Sequence, residues 1–196
     1  AAKTGMLADA ELIETVVNNY QKYDFGPLVV DPVIVTKHGN LLLEEAALTS
    51  LKEKLLPLAT VLTPNFYEAE KLTGRTLKTE DDYAQAANQL QKMGAKNVMI
   101  KGAHKKESKQ QEVRDYVLLE SGQSFWLSEK FYPTDRINGT GDTLSACIAA
   151  ELAKGKTVEE AIRIAKEYVN IAIREEIIVG HKYGPINHWA AEKQLD

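Results

Sequence analysis

Along this chain, short apolar runs alternate with stretches in which apolar residues return every third or fourth position. Leu28-Val29-Val30, Thr60-Val61-Leu62-Thr63 and Asn97-Val98-Met99-Ile100 are too short for buried helices and read as strands covered on both faces. Between them the helical period runs from Ala8 to Tyr20, from Glu44 to Leu55 and from Glu80 to Met93. Thr79, three residues ahead of Asp82, signals the start of the last of these. Strands and helices alternating at this spacing predict a mostly parallel sheet with helices on both faces. The texture then changes. Asp115 to Leu119 and Ser124 to Leu127 flank Ser121-Gly122, a hairpin signal. Two helices follow. The first comes after Asp142, carries Leu144, Cys147, Ile148 and Leu152 on one face, and closes at Lys154-Gly155. The second runs from Val158 to Arg174 behind the capping box Thr157-x-x-Glu160.

Composition narrows the class without naming the chemistry. A chain of 196 residues, 44% hydrophobic and 27% charged, predicts one globular domain with a sizeable core. A net charge of −4 gives no electrostatic case for nucleic acid or for an anionic membrane. The single cysteine excludes an internal disulfide and fits a reducing compartment, so the expected location is cytoplasmic. Cys147, on the apolar face of its helix, reads as a structural thiol. The basic stretch His104 to Gln111 reads as a solvated loop, with His104 a loop histidine rather than a ligand.

Candidate chemistry concentrates in Asn138-Gly139-Thr140-Gly141-Asp142-Thr143. Small residues let the backbone turn tightly, and the N–H groups that open the next helix converge on a place that holds an anion. Asp142 is out of character there, because a carboxylate repels phosphate. It makes sense as a base that takes a proton from an attacking hydroxyl; the plainer reading is a helix N-cap. Lys101-Gly102 ends a strand, where an ammonium group neutralises phosphate and a glycine lets it approach. Asp31-Pro32-Val33 and Thr63-Pro64-Asn65-Phe66-Tyr67-Glu68 also follow strands directly, the position at which open α/β sheets bind ligands. Asn65 with Glu68 three residues on also reads as a helix cap. No G-x-G-x-x-G follows a strand, which disfavours a dinucleotide-binding domain.

The glycine-rich turn and its small-residue helix Ser145-Ala146-Cys147-Ile148-Ala149-Ala150 resemble the anion hole and catalytic base of the ribokinase-like kinases. Lys3-Thr4-Gly5-Met6-Leu7, Asp31-Pro32-Val33, Thr63-Pro64-Asn65-x-x-Glu68-Ala69-Glu70, Lys101-Gly102-x-His104 and Gly184-Pro185-x-Asn187-His188 stand in that family's order along nearly the whole chain. Within the superfamily the chain is most similar to the hydroxymethylpyrimidine and phosphomethylpyrimidine kinases of thiamine biosynthesis, with pyridoxine and pyridoxal kinases as near relatives. The resemblance implies a three-layer α/β/α ribokinase-like fold and an ATP- and Mg²⁺-dependent phosphotransferase. It implies Asp142 as base, the N–H groups of Gly139, Thr140 and Gly141 as the anion hole, and Lys101 on phosphate. Asp31, Asn65 and Glu68 would organise Mg²⁺ and its waters. Met6 and Val33 would line the heteroaromatic ring of the substrate, a thioether packing well there. Gly184-Pro185 receives no chemical role beyond a turn.

One departure bears on the substrate. Many thiamine-pathway kinases of this resemblance carry Cys where Asp142 stands, whereas pyridoxine-type kinases share Asp. The alternative reading is therefore a pyridoxine or pyridoxal kinase, and a second alternative is a nucleotide-binding domain or fragment without turnover. The resemblance also places a glycine-rich, substrate-binding start ahead of Lys3-Thr4-Gly5-Met6. The expectation is a sheet that lacks its first strands and exposes an apolar edge. The oligomeric state is left open, with a homodimer among the options.

Overall fold

Neighbouring residues in these strands enter two different cores, because successive side chains of a strand point to opposite faces. In the computed structural model, which describes residues 1–34, 43–102, 112–181 and 184–195, Leu28, Val30, Leu62, Val98 and Ile100 face one core. Val29, Val61 and Met99 face the other. Strands this short and apolar are stable only when both faces are covered, and both are. The sheet has six strands in sequence order: β1 (Ala2–Thr4), β2 (Leu28–Val30), β3 (Val61–Leu62), β4 (Asn97–Ile100), β5 (Glu112–Leu118) and β6 (Ser124–Lys130). β1 to β4 run parallel, and β5 and β6 add to β4 as an antiparallel hairpin longer than the apolar pattern suggests.

Helices α1 (Ala10–Lys22), α2 (Glu45–Ser50), α3 (Phe66–Thr73) and α4 (Glu80–Lys92) cover the first face through Ile13, Val17, Ala47, Leu72, Ala86 and Leu90. On the second face lie α5 (Thr140–Ala153) and α6 (Val158–Arg174), anchored by Leu144, Ile148, Ile162 and Val169. A last helix, α7 (His188–Leu195), follows Ile186, which joins Ala191 in a small core against Ile171 and Ala172 of α6. The result is a three-layer α/β/α arrangement around a mostly parallel sheet, as expected. The capping signals hold: the side chains of Asn65, Thr79 and Thr157 accept the N–H groups of Glu68, Asp82 and Glu160, each with a reciprocal carboxylate bond.

Two expectations change. The stretch Glu44 to Leu55 is not one α-helix: α2 ends at Ser50 and continues as a π-helical turn over Leu51–Leu55 and a 3₁₀ turn over Leu56–Leu58. Pro57 explains this, since its ring and missing N–H cannot continue an α ladder. The helix expected after Asp142 starts earlier, at Thr140, with Gly139 (φ +90°) as its N-cap. Asp142 therefore sits inside the first turn and is not the cap. The stretch from His104 to Gln111 lies outside the described residues.

Candidate active site

The carboxyl ends of four parallel strands open on one side of the sheet, and the first turn of α5 meets them there. β2 delivers Asp31, which is buried, and β4 delivers Lys101. The Lys101 N–H donates to the Pro64 carbonyl at 2.8 Å, pairing Lys101 with Asn65 as a parallel bridge beyond β3 and β4. Its ammonium Nζ lies 3.2 Å from Asp31 Oδ1. Gly141 packs on this ion pair: a Cβ there would stand 3.4 Å from Lys101 Nζ and 3.7 Å from Asp31 Oδ2. The helix start therefore lies within contact distance of the two charges.

A second ion pair lies on the same turn. Lys3 Nζ donates to Asp142 Oδ1. The lysine side chain is 21% exposed and the aspartate 77%, so a tethered cation meets an open carboxylate. Gly5 packs against the pair, since a Cβ would stand 3.8 Å from Lys3 Nζ and 3.9 Å from Asp142 Oδ1, within van der Waals contact. α5 presents the N–H groups of its first turn to this region, where no preceding helical carbonyl takes them. The Thr140 N–H makes a long bond of 3.4 Å to Ile137, and Thr143 donates to Gly139 at 2.8 Å. The Ser145 hydroxyl braces the turn by donating to the carbonyls of Gly141 and Asp142.

Glu68 joins the loops that follow β2 and β3. Its Oε1 accepts the Ile34 N–H at 3.1 Å and its Oε2 the Asn65 N–H at 2.8 Å, while Asn65 Oδ1 accepts the Glu68 N–H at 2.9 Å. Burial pushes the Glu68 carboxyl above its ordinary range. The Lys101 ammonium and the two N–H bonds oppose that rise, and the Asp31 carboxylate adds to it. Val33, just before Ile34, has φ +30°, a strained conformation for a β-branched residue. The Glu68 bond to Ile34 helps to hold that turn.

The structure thus gathers Asp31, Lys101, Gly139, Thr140, Gly141 and Asp142 at the start of α5, with Asn65 joined to them through its bridge to Lys101 and Glu68 through its bonds to Asn65. Met6 and Val33 stand on the loops after neighbouring strands, Met6 being 59% exposed. Among the described residues, no three His, Cys, Asp or Glu side chains cluster as a direct metal cage. The acidic and amide oxygens present fit a hydrated cation instead. Asp31 Oδ2 faces the Gly141 turn, whereas both Glu68 oxygens already accept N–H groups.

Three features escaped the reading of the sequence. Lys3 is the partner of Asp142, 139 positions away. Asp115 on β5 accepts the Gly102 N–H at 2.8 Å and pairs with Lys166 of α6 at 2.6 Å, both side chains largely buried. Gly184-Pro185, expected to be only a turn, pairs with the anion loop: Asn138 donates to Gly184 at 3.4 Å and accepts from Ile186 at 3.3 Å. Nothing in the hydrophobic pattern marks these long-range partners, because each is set by how helices stack on the sheet. Cys147 packs against the second core, and burial pushes its thiol up, in keeping with a structural role.

Residues 1–187 match the family of phosphomethylpyrimidine kinases. A hydroxymethylpyrimidine/phosphomethylpyrimidine kinase of Haemophilus influenzae is 46% identical over 190 residues, covering 97% of this chain and 71% of the relative. The structure of a Bacillus subtilis pyridoxal kinase in complex with ADP superposes with a TM-score of 0.87 at 37% identity, covering 97% of this chain and 70% of that one. A phosphomethylpyrimidine kinase from Clostridium difficile superposes with a TM-score of 0.72 at 34% identity, over 86% of this chain and 67% of that one.

Proposed function

The chain belongs to the phosphomethylpyrimidine kinase family, and from that premise we propose that it transfers the γ-phosphoryl group of ATP to 4-amino-5-hydroxymethyl-2-methylpyrimidine, to its monophosphate, or to both, in thiamine biosynthesis. The observation that carries this reading is the meeting of Asp142, Gly141, Lys101 and Asp31 at the start of α5. Asp142 is exposed to an incoming acceptor and takes the hydroxyl proton as the oxygen attacks phosphorus. The N–H groups of Gly139, Thr140 and Gly141 face the charge that develops on the transferring phosphoryl, and Lys101 neutralises the polyphosphate behind it. Mg²⁺ would be held through its waters by Asp31, with Asn65 and Glu68 behind, and would neutralise charge on the β- and γ-phosphates. Met6 and Val33 contact the ring. A cytoplasmic location goes with this reading, and sedimentation decides between a monomer and the homodimer left open by the sequence.

A second reading has specific support. Asp142 is the residue that pyridoxine-type kinases share, and the solved pyridoxal kinase of B. subtilis superposes closely. One steady-state comparison separates the readings: hydroxymethylpyrimidine, its monophosphate and pyridoxal, each with ATP and Mg²⁺. Preference for either pyrimidine supports the first. Preference for pyridoxal by tenfold or more in kcat/KM overturns it in favour of the second.

A further inference from the structure

With Asp142 as the base proposed above, the acceptor oxygen comes to its carboxylate, and the Lys3–Asp142 pair puts opposite charges beside it. The two acceptors of the proposed reaction make opposite demands on that place. An alcohol carries a proton that must leave as the oxygen attacks. A phosphate monoester has its second ionisation near pH 6, so at neutral pH it arrives largely as a dianion, with no proton to remove and charge to neutralise. A lone carboxylate serves the first acceptor and repels the second. A lone ammonium does the reverse.

We propose that Lys3 is the acceptor-side cation of this site, and that the Lys3–Asp142 pair lets one cleft phosphorylate both an alcohol and the phosphate monoester made from it. The inference rests on the function proposed above and adds the division of labour within it. Three features carry it. The Lys3 ammonium is tethered by a largely buried stem on β1, so it is positioned and not sweeping solvent. Gly5 lies against the pair and carries no side chain to cover it, and the Asp142 carboxylate is 77% exposed, so an acceptor can reach the pair from solvent. A separate lysine, Lys101, meets Asp31 against Gly141, so the donor phosphates have their own cation and Lys3, paired with Asp142, serves the acceptor.

With the alcohol, the hydroxyl oxygen forms a bond to the γ-phosphorus, its proton passes to the Asp142 carboxylate, and the bond to the β,γ-bridging oxygen breaks with the electron pair leaving on ADP. With the monophosphate, a phosphate oxygen attacks the same phosphorus and ADP leaves in the same way. No proton moves to Asp142, and the product is a diphosphate. In that second transfer Lys3 swings its hydrogen bonding from Asp142 to the acceptor phosphate, offsetting the repulsion between two like charges.

The test is a matrix of kcat/KM values. Full-chain wild type, Lys3→Met, Lys3→Arg and Asp142→Asn are each assayed with hydroxymethylpyrimidine and with its monophosphate at saturating ATP and Mg²⁺. Calorimetric ADP binding reports on folding in every variant. Lys3→Met is expected to lower the monophosphate reaction about 10²-fold and the alcohol reaction about tenfold or less. Asp142→Asn should show the reverse bias, with Lys3→Arg restoring the wild-type ratio of the two acceptors. If the wild type uses both acceptors and Lys3→Met depresses them equally while still binding ADP, the division of labour is wrong and the kinase reading stands. If the folded, ADP-binding wild type phosphorylates neither pyrimidine, the function proposed above falls and this inference with it.

Discussion

Asp142 lies in the first turn of α5 with an exposed carboxylate, so its removal as a base need not disturb the helix. Asp142→Asn keeps size and polarity but accepts no proton. With the alcohol acceptor, the expected loss in kcat is about 10²–10⁴, with ADP affinity little changed by calorimetry. Near-native turnover would remove Asp142 from the role of base. Glu68 gives a different kind of prediction, because its environment raises its carboxyl above the ordinary 4.5. A group raised in the folded state binds protons more readily there than in the unfolded chain. The stability it contributes is complete below pH 4.5 and is lost as pH climbs through the raised value. Glu68→Gln imitates the neutral form, so its Tm relative to wild type should rise between pH 4 and pH 7. A constant offset across that range would show that burial does not govern this carboxyl. The same variant should need more Mg²⁺ for half-maximal rate, since a charge behind the cation is gone. Residues of this kind were legible early because their chemistry sits in contiguous runs at strand ends. Lys3 was not: a lysine in a short segment looks the same whether it meets water or a carboxylate far along the chain.

Among the elements, α5 joins the glycine-rich turn proposed as the anion hole to part of the second core. Ile148 is fully buried beneath it, about one and two-thirds turns from Asp142. Ile148→Ala should destabilise the fold by about 2–5 kcal/mol, read as a lower urea midpoint with an unchanged m value. A loss below 0.5 kcal/mol would mean that α5 is not clamped to the sheet as its packing indicates. The identities of β2, β3, β4, α1, α4 and α6 followed from periodicity because burial leaves a clear imprint on residue type, whereas β1, α3 and α7 are too short to show one. Boundaries were less legible where one residue overrules the pattern. Pro57 breaks the α ladder that the apolar spacing of Glu44 to Leu55 implies, and Gly139 starts α5 before the first apolar residue announces it.

At the scale of the whole molecule, the Asp115–Lys166 pair bolts α6 to β5 beneath the Lys101-Gly102 turn. Removing one partner strands a buried charge, so Lys166→Met should cost about 3–5 kcal/mol, and Asp115→Leu with Lys166→Met together should cost less than the single change. Chemical denaturation of the three proteins checks this, and additive losses would contradict it. No helix among the described residues is long and apolar enough to cross a membrane. The pairing of Asn138 with Gly184 and Ile186 has a consequence for how the protein reports its own occupancy. The loop proposed to bind phosphate is the one whose Asn138 pairs with this late segment, so whatever steadies one steadies the other. Nucleotide concentration is thereby converted into a rate of deuterium uptake: the Ile186 amide, silent in catalysis, should exchange more slowly as ADP saturates the cleft.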